Sequence, residues 1–311
     1  MNQDPDPVPV IRDPWARVGL VGYGEVGRIF AAGLRAQGLP VVAWDLKFAE
    51  PDRGASERAQ AQAEGVEPCD GPVSLCAGSD LVISAVTASN TLEVARQLTP
   101  SLRPGTVLLD LNSASPGTKQ QAAQAVEAVG AHYVEAGVMT SVPPYGLRVP
   151  MLLGGPLAVA LAVRLRALGM DATPVAETIG VASAIKMCRS VMIKGLEALV
   201  IESYTTARHY GVEDHMLPTL AETFPAIDWE KQGAYFFSRV VQHGKRRAEE
   251  MREAARTVEE AGFQPWMASA TAGRQDEVAA HRCAGRFEGI GPGADWRAYA
   301  DRLLGRGDPE R

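Results

Sequence analysis

The side chains best suited to chemistry in this 311-residue sequence fall in two short stretches. One is Gly180-Val-Ala-Ser-Ala-Ile-Lys186-Met-Cys-Arg189-Ser190, where Lys186 stands among apolar residues at helical spacing. Burial disfavours a charged amine, so a lysine in such surroundings is drawn toward neutrality, the range that proton transfer requires. Arg189 and Ser190, three and four positions on, would share its face and could hold a carboxylate or hydroxyl beside it. A plainer reading of the same stretch sends Lys186 to water from an amphipathic helix, with Arg189 and Lys194 solvated.

The other stretch is Gly22-Tyr23-Gly24-Glu25-Val26-Gly27, between an apolar run and a helical pattern. Gly22 allows a tight strand-to-helix turn, Gly24 lets a pyrophosphate approach the backbone, and Gly27 lets helix and sheet pack closely. The unpaired N–H groups and positive dipole of the helix start then face the anion. Asp45 stands eighteen residues beyond Gly27, at the end of the next apolar run, where a carboxylate can accept both ribose hydroxyls of adenosine. It favours NAD over NADP, because a 2′-phosphate would meet a like charge. Lys47 and Arg53 argue the other way, since either could swing toward that phosphate. Glu25 must point away from the phosphates for the turn to work.

These residues need elements to hold them. From Ala16 to about Val175, apolar runs such as ARVGLVG, PVVAWD, DLVISAV, GTVLLDL, AHYVEA and VPMLLGG alternate with helical patterns. Fully apolar strands alternating with helices predict a parallel sheet covered on both faces. Beyond Pro174 the pattern turns all-α, with helices expected over 177–210, 227–261, from Trp266, and around 296–304. The expected organisation is a flexible Pro-rich leader over 1–15, an α/β domain over 16–175 and an all-α domain over 176–311. Trp229, Tyr235, Phe236 and Phe237 read as core or subunit-interface residues.

Composition excludes several classes. The net charge of −6, from 31 basic and 37 acidic residues, argues against nucleic acid or an anionic membrane as partner. The basic run Lys245-Arg246-Arg247 is followed by Glu249 and Glu250, so it reads as a solvated helix face. No stretch is long and apolar enough to span a bilayer. Cys69, Cys76, Cys188 and Cys283 show no CxxC pair, and the five histidines show no ligand spacing, so no metal site is expected. Free thiols and an acidic, Pro-rich start, MNQDPDPVPV, point to a cytoplasmic protein.

Together the motifs resemble the β-hydroxyacid dehydrogenase family, which includes 3-hydroxyisobutyrate and 6-phosphogluconate dehydrogenases. Asp110-Leu-Asn112-Ser113-Ala-Ser-Pro116 looks like the family's D-x-S-T-x-x-P segment. Glu135-Ala-Gly-Val-Met139-Thr140-Ser141 lies where the family writes D-A-P-V-S-G-G to hold the substrate carboxylate. Gly180 through Lys186 is similar to its G-x-x-x-x-x-K helix. The resemblance implies a Rossmann-type doubly wound parallel sheet followed by an all-α domain, and NAD(P)-dependent hydride transfer with Lys186 as general acid/base. It places the nicotinamide near Val86, Thr87 and Asn112, and substrate near Asn112, Ser113, Met139, Thr140, Ser141, Arg189 and Ser190. A small-molecule substrate and a homodimer joined through long helices are further implications. Arg189 and Ser190 replace the asparagines that the family has after the lysine, so the substrate pocket is rebuilt. The stretches Lys186–Glu197 and Met251–Thr271 look most like a bacterial branch with a C-terminal domain of unassigned function. Two rival readings are a dinucleotide-binding regulatory protein without chemistry and an imine reductase, which usually carries a different proton donor in place of the lysine.

Overall fold

The structure is a computed structural model and describes residues 11, 14–291 and 293–306. It divides into two compact units, Met1–Met187 and Cys188–Arg311.

The first unit is built on eight strands: β1 (Val18–Val21), β2 (Val41–Trp44), β3 (Glu67–Pro68), β4 (Leu81–Ser84), β5 (Val107–Asp110), β6 (His132–Val138), β7 (Met151–Gly154) and β8 (Ala172–Ala176). They form one sheet in the order β3-β2-β1-β4-β5-β6-β7-β8. Strand β1 lies between β2 and β4, so the order reverses there, and in such sheets ligands bind at the strands' C-terminal ends beside that point. Six helices cover the sheet: α1 (Glu25–Ala36), α2 (Gly54–Ala63), α3 (Pro72–Cys76), α4 (Thr91–Leu98), α5 (Pro116–Glu127) and α6 (Ala158–Ala167). Side chains alternate across a strand, so covering both faces favours apolar residues at most positions. Val18, Leu20, Leu81 and Ile83 accordingly enter one core cluster, while Val21 and Val82, between or beside them, enter the other.

Three features depart from the expected pattern. The sheet is mostly, not wholly, parallel, because β6 and β7 pair antiparallel. A parallel return needs a crossover of about a dozen residues or more, usually helical. Residues 139–150 hold only the short 3₁₀ turn Gly146–Arg148, and the Met139 N–H donates to the Pro150 carbonyl at 2.9 Å, closing the connection as a hairpin. Two strands lie outside the expected runs: the two-residue β3, and β8, which carries a Pro174 that an edge strand tolerates. Ile11 and Trp15, placed by composition in a flexible leader, are buried in the core, and the Ala16 N–H donates to Asp80 Oδ2 at 2.7 Å. The rest of that leader, 1–10 and 12–13, lies outside the described residues.

The second unit holds most of α7 (Val181–Tyr210), with α8 (Glu213–Thr223), α9 (Trp229–Glu260), α10 (Trp266–Cys283) and α11 (Trp296–Leu303). Helix α8 carries Pro218 inside it and was not foreseen. The core of this unit includes Tyr204, Trp229, Phe236, Phe237, Trp296 and Tyr299, whereas Tyr235 is exposed. The contact boundary, at 187/188, falls inside α7 and later than the change of composition near 175. The first turns of that helix pack on the sheet.

Candidate active site

The glycine turn is built as its spacing requires. Gly22 has φ +88°, and a side chain there would strike the Ala85 carbonyl. At Gly27 a side chain would strike the Gly22 carbonyl, so helix α1 sits directly on the turn. Gly24 differs: nothing lies within 4 Å of where its Cβ would be. It caps α1 without a side-chain hydrogen bond, so the first N–H groups of the helix border open space. A pyrophosphate fits that cradle. Glu25 is exposed, Val26 is half-buried and Gly27 is buried.

The Tyr23 side chain turns into the core. Its ring is buried against Phe48, and its hydroxyl donates to Glu64 Oε2 at 2.6 Å. Burial and the Glu64 carboxylate hold that phenol well above its usual pKa. The Tyr23 N–H instead donates to Asp45 Oδ2 at 2.6 Å, while Asp45 Oδ1 accepts the Lys47 N–H at 2.9 Å. Asp45 thus braces the glycine turn, and each oxygen retains a lone pair for a sugar hydroxyl. Lys47 is half-buried, and Arg53 is bound by Glu50 with Nη2···Oε1 at 2.7 Å.

At the ends of β4 and β5, Asn112 is buried and both ends of its amide are in use. Its Oδ1 accepts the Val86 N–H at 2.6 Å, and its Nδ2 donates to Ser84 Oγ at 2.9 Å. It therefore ties the two strand ends together, where the resemblance expected an open contact to substrate and nicotinamide. Ser113 is buried, Val86 is half-buried and Thr87 is exposed. Beneath them Asp110 accepts the Asn112 N–H at 2.9 Å, pairs with Lys119 Nζ at 3.0 Å and accepts the Tyr133 hydroxyl. Asp110, Lys119 and Tyr133 are all buried, and burial together with Asp110 pushes the Tyr133 phenol well up.

Strand β6 carries a second buried carboxylate, Glu135, in register with Asp110 on β5. Its Oε1 accepts the N–H groups of Gly180 at 2.6 Å and Ala182 at 3.1 Å, and its Oε2 accepts that of Ser183 at 3.2 Å. A carboxylate at a helix N-terminus satisfies orphan donors and complements the dipole. Gly154 makes room for it, since a Cβ there would lie 2.5 Å from Glu135 Oε1. Gly180 turns the chain into the helix at φ +107°. Gly137 lets the helix come down on the strand: a Cβ there would lie 3.0 Å from the Ala182 carbonyl oxygen and 3.6 Å from Lys186 Cβ. Lys186 is thereby fixed beside the C-terminal end of β6, on the sheet edge that also bears the glycine turn.

Lys186 is half-buried, Arg189 is exposed and Ser190 is buried, so the three do not present one uniform face. The strongly desolvated amine of α7 is Lys194, which is 6% exposed and ion-paired with Glu250. Burial lowers its proton affinity and Glu250 opposes that. This corrects the expectation that Lys194 is solvated. Arg247, expected on a solvated face, is likewise buried and ion-paired with buried Glu197, whose carboxyl burial pushes up against the pull of Arg247. In the β6–β7 connection Met139 and Ser141 are half-buried, while Thr140 and Tyr145 are exposed. Glu135, Lys119 and Lys194 were not singled out for these roles by sequence reasoning. The available signal was a charge inside an otherwise apolar strand or helix face.

Among the described residues no cluster of histidine, cysteine and carboxylate side chains could hold a metal, and no helix is long and apolar enough to cross a membrane.

Sheet order, glycine turn and acidic strand end define a dinucleotide-binding protein of the doubly wound class. Residues 17–144 match the NAD binding domain of 6-phosphogluconate dehydrogenase, and residues 207–278 match a domain of unknown function (DUF1932). A conserved hypothetical protein from Sinorhizobium meliloti 1021 is 38% identical, with 95% of this chain and 98% of that one covered and a TM-score of 0.75. The 2-(hydroxymethyl)glutarate dehydrogenase of Eubacterium barkeri is 26% identical over 126 residues, which is 39% of this chain and 40% of that protein. Mycobacterium tuberculosis 3-hydroxyisobutyrate dehydrogenase, solved with L-serine, shares the fold at 15% identity, with a TM-score of 0.67 over 93% of this chain and 99% of that one. The chain belongs to the β-hydroxyacid dehydrogenase family, in the branch whose second domain has no assigned function.

Proposed function

We propose that the protein is an NAD(P)-dependent dehydrogenase that interconverts a hydroxyl and a carbonyl on a small anionic substrate, with Lys186 as general acid/base. The observation that carries this reading is the docking of the α7 start onto β6, which sets Lys186 at the sheet edge where the glycine turn opens. The nicotinamide cofactor supplies the hydride acceptor or donor. In oxidation the neutral Lys186 amine takes the substrate hydroxyl proton; in reduction the ammonium returns it to the carbonyl oxygen. Asn112 holds the Val86 backbone in place beside the reaction, and Gly24 leaves space for the pyrophosphate. Met139, Thr140 and Ser141 face the substrate in this reading. The relatives named for 2-(hydroxymethyl)glutarate and 3-hydroxyisobutyrate support a hydroxy acid as the substrate class.

NAD is the preferred cofactor in this reading. Asp45 keeps a lone pair on each oxygen for the ribose hydroxyls, and Glu50 occupies the guanidinium of Arg53. The four free thiols suit a reducing, cytoplasmic setting. The protein acts as a homodimer, with Ile185, Met192 and Leu199, exposed at seven-residue intervals along α7, forming the contact stripe. Light scattering in solution should return twice the chain mass.

A hydroxy-acid panel with both nicotinamide cofactors, followed by absorbance of the reduced form, tests the activity. Lys186→Met should lower kcat by roughly 10²–10⁴-fold while binding of reduced cofactor, read by its fluorescence, stays within about twofold. Full turnover in Lys186→Met ends the proposal. Cofactor binding without turnover on any substrate favours a regulatory binder.

A further inference from the structure

We infer that Glu135 is a positioning residue: it holds the first turn of α7 in the orientation that makes Lys186 competent for proton transfer. The inference rests on the role proposed for Lys186 and goes beyond it by naming the group that sets that lysine's placement. Glu135 is wholly buried in the middle of a sheet strand, a costly place for a carboxylate without compensation. Three N–H groups at the start of α7 compensate it. The neighbouring buried carboxylate, Asp110, has a separate partner in Lys119, so the two acids are satisfied independently. Three glycines serve the arrangement: Gly154 clears space for the carboxylate, Gly180 aims its N–H at it, and Gly137 admits the helix backbone. A helix end fixed only for stability needs a cap. This one is fixed from inside the sheet, one and a half turns before the residue that carries the proton.

Asp110 lies opposite Glu135 on β5, Tyr133 on its own strand feels its charge, and the first N–H groups of α7 point at it, one turn before Lys186, whose Cβ lies over Gly137. Replacing Glu135 by Gln removes a negative charge near the lysine and leaves the positive helix end uncompensated. Both changes disfavour the ammonium and lower the pH at which Lys186 titrates.

The test uses the full chain with Glu135→Gln and Glu135→Asp. Competitive acetylation across pH, read by peptide mass spectrometry with exposed Lys231 and Lys245 as internal standards, reports the Lys186 midpoint without any turnover. In Glu135→Gln that midpoint should fall by about half a pH unit or more, amide exchange over residues 180–184 should quicken about tenfold, and reduced-cofactor affinity should stay within about twofold. The loss on a turned-over substrate should lie in kcat, by about tenfold, with the cofactor KM unchanged. Glu135→Asp, which keeps the charge on a shorter arm, should recover most of the midpoint and part of the exchange protection. An unchanged Lys186 midpoint in Glu135→Gln overturns the inference, as does faster exchange with kcat at the wild-type level. If the wild type turns over no substrate, the proposed activity fails, and the midpoint and exchange measurements still decide whether Glu135 sets the lysine.

Discussion

Lys186 and Lys194 lie eight residues apart on one helix, and local sequence ranks them in the wrong order for desolvation. Lys186, among apolar neighbours in sequence, keeps partial exposure; Lys194, followed by glycine and near Glu197, is the buried one. A proton-transfer group must reach both substrate and water, so partial exposure fits the role proposed for Lys186, while a deeply buried, paired amine such as Lys194 serves packing. Asp45 carries a second argument at this scale, because it braces the glycine turn and is the carboxylate proposed to hold the ribose. Asp45→Ala should raise the KM for NAD by about tenfold, the worth of roughly 1.4 kcal/mol of lost hydrogen bonding. The same change should narrow the preference over NADP, and paired initial-rate measurements with the two cofactors check it.

Helices α7 and α9 meet through two ion pairs, Lys194–Glu250 and Arg247–Glu197. The second pair is buried on both sides, so its two charges stand or fall together. Arg247→Met alone should cost about 3–5 kcal/mol by leaving Glu197 charged and unpaired, whereas Arg247→Met with Glu197→Leu should be near neutral or more stable. Denaturant melts of the four-member cycle measure the difference. Helix α11 is held to α9 by polar contacts at Glu230, which accepts the Trp296 indole N–H at 2.6 Å and pairs with Arg297 at 3.0 Å. The Arg297 hydrogen bond keeps the Glu230 carboxyl below its ordinary range. Its contribution to stability is therefore present above the unfolded carboxylate value and is lost as pH falls through the lowered one. An acid titration followed by emission of buried Trp296 should show this loss, and Glu230→Gln should flatten it.

The whole molecule combines a sheet unit that holds the candidate site with a helical unit that has its own core of Tyr204, Phe237 and Trp296. Cofactor contacts are expected at β1, α1 and the end of β4, all in the first unit. Saturation at about a hundred times Kd should add roughly 2.7 kcal/mol to the folded state, read as slowed amide exchange that is strongest in those three elements. Uniform slowing confined to the second unit would contradict the placement of the cofactor at the glycine turn.

What the sequence determined by itself is whatever depends on neighbours along the chain. The apolar runs marked six of the eight strands, because a strand covered on both faces is apolar at most of its positions. The spacing of Gly22, Gly24 and Gly27 with Asp45 marked the dinucleotide turn, because each glycine answers a backbone requirement within one βα unit. The long helices α7, α9 and α10 were legible from periodicity. Tertiary structure alone decided which charges are buried and what compensates them. Glu135 became a helix anchor, Asn112 a tie between strands, Tyr23 a core residue and Lys194 a buried partner of Glu250. It also reversed β7 and drew Ile11 and Trp15 into the core. Burial and partnership are set by residues distant in sequence, and a single chain read in order carries no record of which segments meet.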